Sequence, residues 1–148
     1  MRKSVTFRPL LLIMLGLVLG LVGCQAENEK GAAGVSAGEI EHISLTCIDI
    51  CLRWEKPPFT LKTFNDADSI LTFTEAINQA RRMEGDLDYG GIFNMKLFFT
   101  DGTRKEYVLN IDDKVGSTGL LVDIAKSTQG YIIGQDMVSK LRAIIFPA

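Results

Sequence analysis

The sequence has 148 residues, 16 of them basic and 18 acidic, and a single histidine. A formal net charge of −2 without a basic cluster argues against nucleic acid as a partner. One histidine leaves much of general acid–base and nucleophilic catalysis without an obvious agent, so the sequence indicates no catalytic site.

The first 23 residues have the layout of a secretory signal. Arg2, Lys3 and Arg8 form a positive segment, and residues 9–23 are uncharged and rich in Leu, Ile, Val and Gly. This apolar run is shorter than the roughly 20 residues that a transmembrane helix needs. The pattern therefore predicts a cleaved signal and not a membrane-spanning helix.

The apolar run ends in Leu21-Val22-Gly23-Cys24, which resembles a lipobox. Small residues at the cleavage site admit the signal peptidase, and the cysteine thiol accepts a diacylglyceryl group. We therefore predict lipidation of Cys24 and a protein held by fatty acyl chains, such as palmitate, on the extracytoplasmic face of the cell membrane. Membrane lipid is then the first expected partner. An uncleaved anchor or an ordinary secreted form is the alternative.

Residues 24–39 are predicted to be the lipidated cysteine and a flexible linker. The segment after Cys24 consists of Gly, Ala and polar residues without hydrophobic periodicity, and its root-mean-square reach is roughly 20 Å. Ser36 lies in a G-x-S-x-G pattern, the form of a hydrolase nucleophile elbow. We attribute the match to chance, because no predicted strand precedes Ser36 and the one histidine, His42, follows it by six residues.

Residues 40–148 are predicted to form one domain, large enough to bury about two-thirds of its unfolded surface. Apolar residues alternate from Ile43 to Cys47 and then, in the opposite phase, from Ile48 to Trp54. This pattern predicts one long strand with a β-bulge near Cys47. Pro57 and Pro58 end it, and a short second strand is predicted at residues 59–63.

Cys47 and Cys51 are the two cysteines of this domain. Along an extended strand their Cα atoms would be about 13 Å apart, beyond the roughly 7 Å that a disulfide spans. The expectation is two buried thiols, although export makes a disulfide conceivable and leaves their oxidation state open. The same strand geometry spreads His42, Cys47 and Cys51 too far apart for a zinc site.

A helix is predicted at about residues 67–83. Asp66 is a suitable N-cap, Arg81 and Arg82 suit the C-terminal turn, and Gly85 ends the helix. The apolar residues that recur at helical spacing are Ile70, Phe73, Ala76, Ile77 and Ala80.

Asp101-Gly102 lies between two alternating runs, residues 93–99 and 107–111, and predicts a β-hairpin with a type I′ turn. Two further strands are predicted at 120–122 and 131–133. A closing helix follows at about 135–145, and its apolar residues Val138, Leu141 and Ile145 share one face. Strands outnumber helices, and the connections are too short for repeated βαβ crossovers. The predicted fold class is therefore α+β, a mostly antiparallel sheet with two helices.

Acidic residues are the remaining candidates for chemistry. Residues 86–90 resemble the first half of a calcium loop, but Leu97 stands where the essential glutamate would be. Asp112, Asp113 and Asp123 have no basic or histidine neighbour that would suggest a tuned acid–base pair. The sequence thus indicates no catalytic, metal or cofactor site, and a carboxylate pair assembled by the fold stays open.

Residues 59–146 resemble the YhfM-like lipoprotein domain of Firmicutes. The resemblance implies a small extracytoplasmic lipoprotein without a known catalytic site. It rests on residues 64–70 and 76–80, on Gly85, on residues 107–109 and 119–123, and on residues 130–132 before the closing helix.

The expected function is that of a non-catalytic binding or accessory domain that contacts a neighbouring envelope protein. One alternative is a small envelope enzyme that uses a carboxylate pair. A further alternative is a structural spacer on the cell surface.

Overall fold

The computed structural model describes residues 34–85 and 87–147. They form one seven-stranded sheet, antiparallel at every pairing, with two long helices against one of its faces. The α+β prediction is confirmed. Cys24 and the lipobox residues Leu21, Val22 and Gly23 lie outside the described residues. No helix in the described ranges is long and apolar enough to cross a membrane.

Apart from two 3₁₀ turns at Ala37–Glu39 and Ile124–Lys126, the elements are α-helices and strands, which follow the predicted order with two additions, a one-turn helix and a two-residue strand. In chain order they are β1 (Ile40–Cys47), α1 (Asp49–Leu52), β2 (Leu61–Phe64), α2 (Ala67–Gln79), β3 (Arg81–Arg82), β4 (Phe93–Phe99), β5 (Arg104–Asn110), β6 (Gly119–Asp123), β7 (Gly130–Ile133) and α3 (Gln135–Ile145).

The spatial order of the strands is β2-β1-β4-β5-β6-β7-β3. Helix α2 joins the two edge strands, β2 and β3, and therefore crosses the whole sheet. Helix α3 packs beside α2, and the two helices cover the same face. We call this helix-covered side the inner face and the opposite side the outer face.

The inner face supplies the sheet's share of the hydrophobic core. Alternate residues of β1 and β4 are buried there, as a period of two requires. From the helices, Phe73 and Ile77 of α2 and Val138 and Leu141 of α3 complete the core, each no more than 1% exposed. The predicted apolar faces of both helices are therefore confirmed.

Helix α2 begins where its cap predicts but ends early. The Asp66 carboxylate accepts a hydrogen bond from the Ser69 backbone N–H at 2.8 Å, and this bond lowers the pKa of Asp66. The helix ends at Gln79 and not at residue 83. The backbone becomes extended at Ala80, and the next two residues, Arg81 and Arg82, pair with β7 as β3.

The long strand predicted through Trp54 is wrong. Strand β1 ends at Cys47, and at Asp49 the backbone adopts a φ of +35°, which turns the chain into α1. The turn brings the Cα atoms of Cys47 and Cys51 to 5.4 Å, and the two cysteines form a disulfide. The expectation of two free thiols, which assumed an extended strand, is corrected.

The β4–β5 hairpin is confirmed, but its turn type is not I′. Among the described non-glycine residues only Asp49 has a positive φ, so Asp101 does not, whereas Gly102 has a φ of +83°. The Gly102 N–H donates to Phe99 O and the Phe99 N–H donates to Thr103 O. This is a type I turn with a glycine bulge.

The folded domain begins before the predicted boundary at residue 40. Val35 is 5% exposed and belongs to the core, and residues Ala37–Glu39 form a 3₁₀ turn that leads into β1. The predicted linker of residues 24–39 is therefore too long at its C-terminal end. The apolar side chain of Val35 gave the only local signal, and a composition dominated by Gly and Ala obscured it.

Candidate functional site

None of the described helices covers the outer face of the sheet, and this face is the candidate functional surface. Its residues come from the alternate positions of the strands that point away from the core. They are His42, Ser44, Thr46, Leu61, Thr63, Arg81, Asn94, Lys96, Phe98, Arg104, Glu106, Val108, Asn110, Leu120, Val122 and Ile132.

Five of these side chains form a charged and aromatic patch on β1, β4 and β5. His42 stacks on Phe98 with ring centroids 4.3 Å apart and planes 15° apart. Glu106 lies between two cations, with its Oε1 3.6 Å from Lys96 Nζ and 3.5 Å from Arg104 Nε. We call this group the charged patch. It carries one net positive charge when His42 is neutral.

Next to the charged patch lies a polar atom that nothing in the described chain satisfies. Asn94 Oδ1 is buried, and no described residue donates a hydrogen bond to it. Asn94 lies beside Thr46 and Val108 in the middle of the outer face. A buried carbonyl oxygen without a donor is costly, so Asn94 lowers the stability of the outer face locally, and its buried oxygen is not open to a partner.

A segment that we call the crossing segment, residues 83–85 and 87–92, runs over the other half of the outer face from β3 to β4. The Asn110 side chain holds its end: Nδ2 donates to Gly90 O at 2.7 Å, and Oδ1 accepts from the Ile92 N–H at 2.8 Å. Leu87 lies against Gly130, where an added Cβ would come within 2.6 Å of it. Gly130 is therefore needed to seat Leu87.

The α1 turn supports the same segment from the opposite side. The Ile50 N–H donates to Gly91 O and the Ile48 N–H donates to Ile92 O, both at 2.9 Å. The Cys47–Cys51 disulfide thus fixes the turn on which the crossing segment rests.

A cleft of about 350 Å³ opens at the edge of the crossing segment, on the outer face. We call it the outer cleft. Leu120 and Ile132 form its floor. The other residues that line it are Met83, Ile92, Asn110, Asp112, Thr118 and Gly119.

The predicted acidic candidates do not converge. Asp112 Oδ1 accepts hydrogen bonds from the Lys114 N–H and the Ser117 hydroxyl, both at 3.1 Å, and Asp113 is exposed beside it. Asp123 accepts from the Ala125 N–H at the opposite end of β6. Asp86 lies outside the described residues, and Asp88 is exposed.

Arg142 of α3 holds the loop that contains Asp112, although sequence reasoning found no basic neighbour for that residue. Its Nε donates to Asp112 O at 3.1 Å, and its Nη2 donates to Lys114 O and Ser117 Oγ. The contact is to the backbone carbonyl of Asp112 and not to its carboxylate. Asp112 is therefore part of a structural clamp.

The cysteines and the histidine that were considered as metal ligands do not form a metal site. The sulfur atoms of Cys47 and Cys51 are bonded to each other, and His42 stacks on Phe98. Across residues 34–85 and 87–147, no group of three or more His, Cys, Asp or Glu side chains could hold a metal ion.

A family model described as YhfM protein matches residues 49–146, which include all elements from α1 to α3. Neither the curated proteins nor the solved structures that were compared gave a match. Strand β1 and Val35 precede the matched range, yet both are integral to the sheet and core. The chain belongs to the YhfM protein family.

Proposed function

We propose that this chain is a lipoprotein, anchored through Cys24 on the extracytoplasmic face of the cell membrane, whose domain binds a neighbouring envelope protein and catalyses no reaction. The observation that carries the binding role is the charged patch on the helix-free outer face. The patch offers two cations and a stacked aromatic pair on adjacent strands.

The disulfide supports the predicted location. Disulfides persist in oxidising compartments outside the cytoplasm and are rare inside it. The Cys47–Cys51 bond therefore agrees with the export that the signal and lipobox predict.

The position of the patch indicates where its partner stands. Strand β1 begins, and β4 ends, at the end of the sheet where Val35 enters the domain, and His42 and Phe98 lie at that end. The ten residues from Gln25 to Gly34 have a root-mean-square reach of roughly 17 Å if they form a flexible chain. A protein that contacts this patch must then itself stand close to the membrane.

Geometry disfavours the enzyme alternative. Asp112 and Asp123 lie at opposite ends of the sheet, about five residues or roughly 16 Å apart along the strand direction. Carboxylates that share a catalytic task need to stand within about 10 Å of each other. The binding role therefore has the better geometric support.

Site-specific photo-crosslinking in cells tests the binding role. A photoreactive amino acid replaces Lys96 in the full-length chain, and a control chain carries it at Ser139, an exposed position of α3 on the opposite side of the domain. We expect one discrete crosslinked protein from position 96 and none from position 139. Arg104→Glu in the same chain should weaken the product because it reverses a charge of the patch.

The same pattern of products from both positions would show that contacts are not specific to the outer face and would overturn the proposal. The anchor is tested separately by intact mass and membrane fractionation of the native chain and of Cys24→Ser. Acylation and membrane binding of the native chain alone support a lipoprotein. Identical behaviour of the two chains would overturn the anchor and leave the crosslinking result interpretable.

A further inference from the structure

We propose that the outer cleft binds a small acidic amphiphile, an apolar group that carries one anionic head. This site is distinct from the charged patch, and the inference does not depend on the partner proposed above.

The cleft has the composition of a site for an apolar group. Leu120 and Ile132 are neighbours on adjacent strands, and both are half-buried on the outer face. Met83 and Ile92 stand on either side, where the crossing segment leaves β3 and reaches β4. Small-ligand sites are typically clefts of about 300–1,000 Å³ with apolar walls and a few polar groups. At about 350 Å³, this cleft is at the lower end of that range.

Side chains of opposite charge lie at the two ends of the cleft and would orient a charged ligand. Arg81 pairs with Ile132 across β3 and β7, so the two side chains share the outer face at one end of the floor. Asp112 lines the other end, about three strand spacings or roughly 14 Å away. An anionic head is attracted to the Arg81 end and repelled from the Asp112 end, and the apolar group then lies over Leu120 and Ile132.

Asn110 and Asp112, two of the polar residues at the Asp112 end, already form hydrogen bonds within the domain. Both polar atoms of the Asn110 amide bond the crossing segment, and Asp112 Oδ1 bonds its own loop. These groups define the shape of the cleft but have little capacity to bind a second polar head. The ligand's single polar group is therefore expected at Arg81.

Adjacent arginines of β3 provide a matched control. Arg81 and Arg82 are both exposed, but successive residues of a strand point to opposite faces, so Arg82 lies opposite Tyr131 on the other side of the sheet. Arg81→Gln and Arg82→Gln remove the same charge from the same strand. Only the first removes it from the end of the cleft.

The experiment is an NMR titration of residues 25–148, which leave out the predicted signal and the cysteine predicted to be lipidated. The core spans Val35 to Ile145, and a domain with its own core folds independently. The probes are octanoate, octyl phosphate, octyl glucoside and octyltrimethylammonium, which share one tail and differ in the head. We expect octanoate and octyl phosphate to shift the methyl signals of Leu120 and Ile132, and the neutral and cationic probes to bind more weakly.

We expect Arg81→Gln to weaken octanoate binding about tenfold and Arg82→Gln to leave it unchanged. Tighter binding of octyl phosphate would indicate a phosphate-bearing lipid as the natural source, and tighter binding of octanoate a carboxylate. Equal binding of all four probes, equal effects of the two substitutions, or no shift at Leu120 and Ile132 would each overturn the proposal.

Discussion

Asn78, near the end of α2, binds both backbone groups of Val35. Its Nδ2 donates to Val35 O at 2.8 Å, and its Oδ1 accepts from the Val35 N–H at 2.9 Å. These two bonds fasten the start of the folded domain to a helix 43 residues later in the chain. They define the point at which any pull from a membrane anchor would reach the domain.

Replacement of Asn78 by Ala should free the backbone of Val35 from α2. Loss of two hydrogen bonds at a half-buried site should lower the free energy of unfolding by about 1–2 kcal/mol and expose the chain near Val35 to proteases. Chemical denaturation and limited proteolysis measure the two effects. Gln79→Ala, at the exposed neighbouring residue, is the control. Unchanged protease resistance in Asn78→Ala would mean that core burial of Val35 suffices.

The disulfide should contribute measurably to stability. Closing a loop of five residues lowers the entropy of the unfolded chain by an amount worth about 2 kcal/mol at 25 °C. The purified protein should be two hydrogen atoms lighter than its reduced mass, and a reductant should lower its unfolding midpoint in urea. The variant Cys47→Ala/Cys51→Ala should not respond to the reductant. Two thiols that react freely with an alkylating agent in the folded protein would contradict the disulfide.

Lys62 should stabilise the end of α3. Its Nζ donates to Ile144 O at 2.7 Å and stands 5.1 Å from the centre of the Phe64 ring. Lys62→Met keeps the apolar stem but leaves the carbonyl without its donor, so unfolding should become easier by about 1–3 kcal/mol. Lys140→Met is the control, because the exposed Lys140–Glu75 pair should contribute less than about 1 kcal/mol. Equal losses from both substitutions would argue against a specific role of Lys62.

Tyr107 should make the fold sensitive to alkaline pH. It is 1% exposed and its hydroxyl has no hydrogen-bond partner in the described chain. Burial, with smaller contributions from Asp123 and Tyr131, raises the pKa of Tyr107 from 10.0 to about 12. Because the folded pKa lies above the unfolded one, the stabilisation is complete below pH 10 and is lost as the pH rises towards 12.

Tyr107→Phe should abolish this alkaline loss and leave stability at pH 7 unchanged or slightly higher, since the unpaired hydroxyl is removed. Denaturation curves between pH 8 and pH 11 provide the measurement. Tyr89→Phe, in the crossing segment, should keep the wild-type pH dependence. A marked loss of stability at pH 7 in Tyr107→Phe would show that the hydroxyl has a partner.

Much of the fold could be predicted because local chemistry and the period of the apolar residues agreed. Helix α3 has the predicted bounds, the Asp66 cap begins α2, and Asp101-Gly102 marks the β4–β5 turn. Each of these signals lies within a few residues of the element it specifies. The α1 turn was missed because the alternation of apolar residues at 48–54 indicated a strand. The competing signal was the helical spacing of Cys47, Cys51 and Trp54, which are separated by four and then three residues.

The candidate site was much less predictable. In the charged patch, Lys96 lies beside Arg104 and Glu106, which follow it by 8 and 10 residues across the β4–β5 hairpin. The register of that hairpin determines which side chains are neighbours. The outer cleft is formed by the crossing segment and by strands β5, β6 and β7, with β3 at one end. No local sequence pattern relates these segments to one another. Neither Arg81 of β3 nor Leu87 could be assigned to the outer face while the sequence favoured a helix through residue 83.

The sequence by itself determined the α+β class, the apolar faces of the two long helices and the main hairpin, because each depends on side-chain period or on a short motif. Lipidation of Cys24 stays a prediction from a short motif. Only the tertiary structure decided the Cys47–Cys51 bond, the end of α2 at Gln79, the entry of the chain at Val35 and the composition of the outer face. These features arise from contacts between residues distant in sequence or from a local turn that such contacts stabilise. The free energy that stabilises these features comes from the assembled core and sheet, so no single segment of the sequence specifies them.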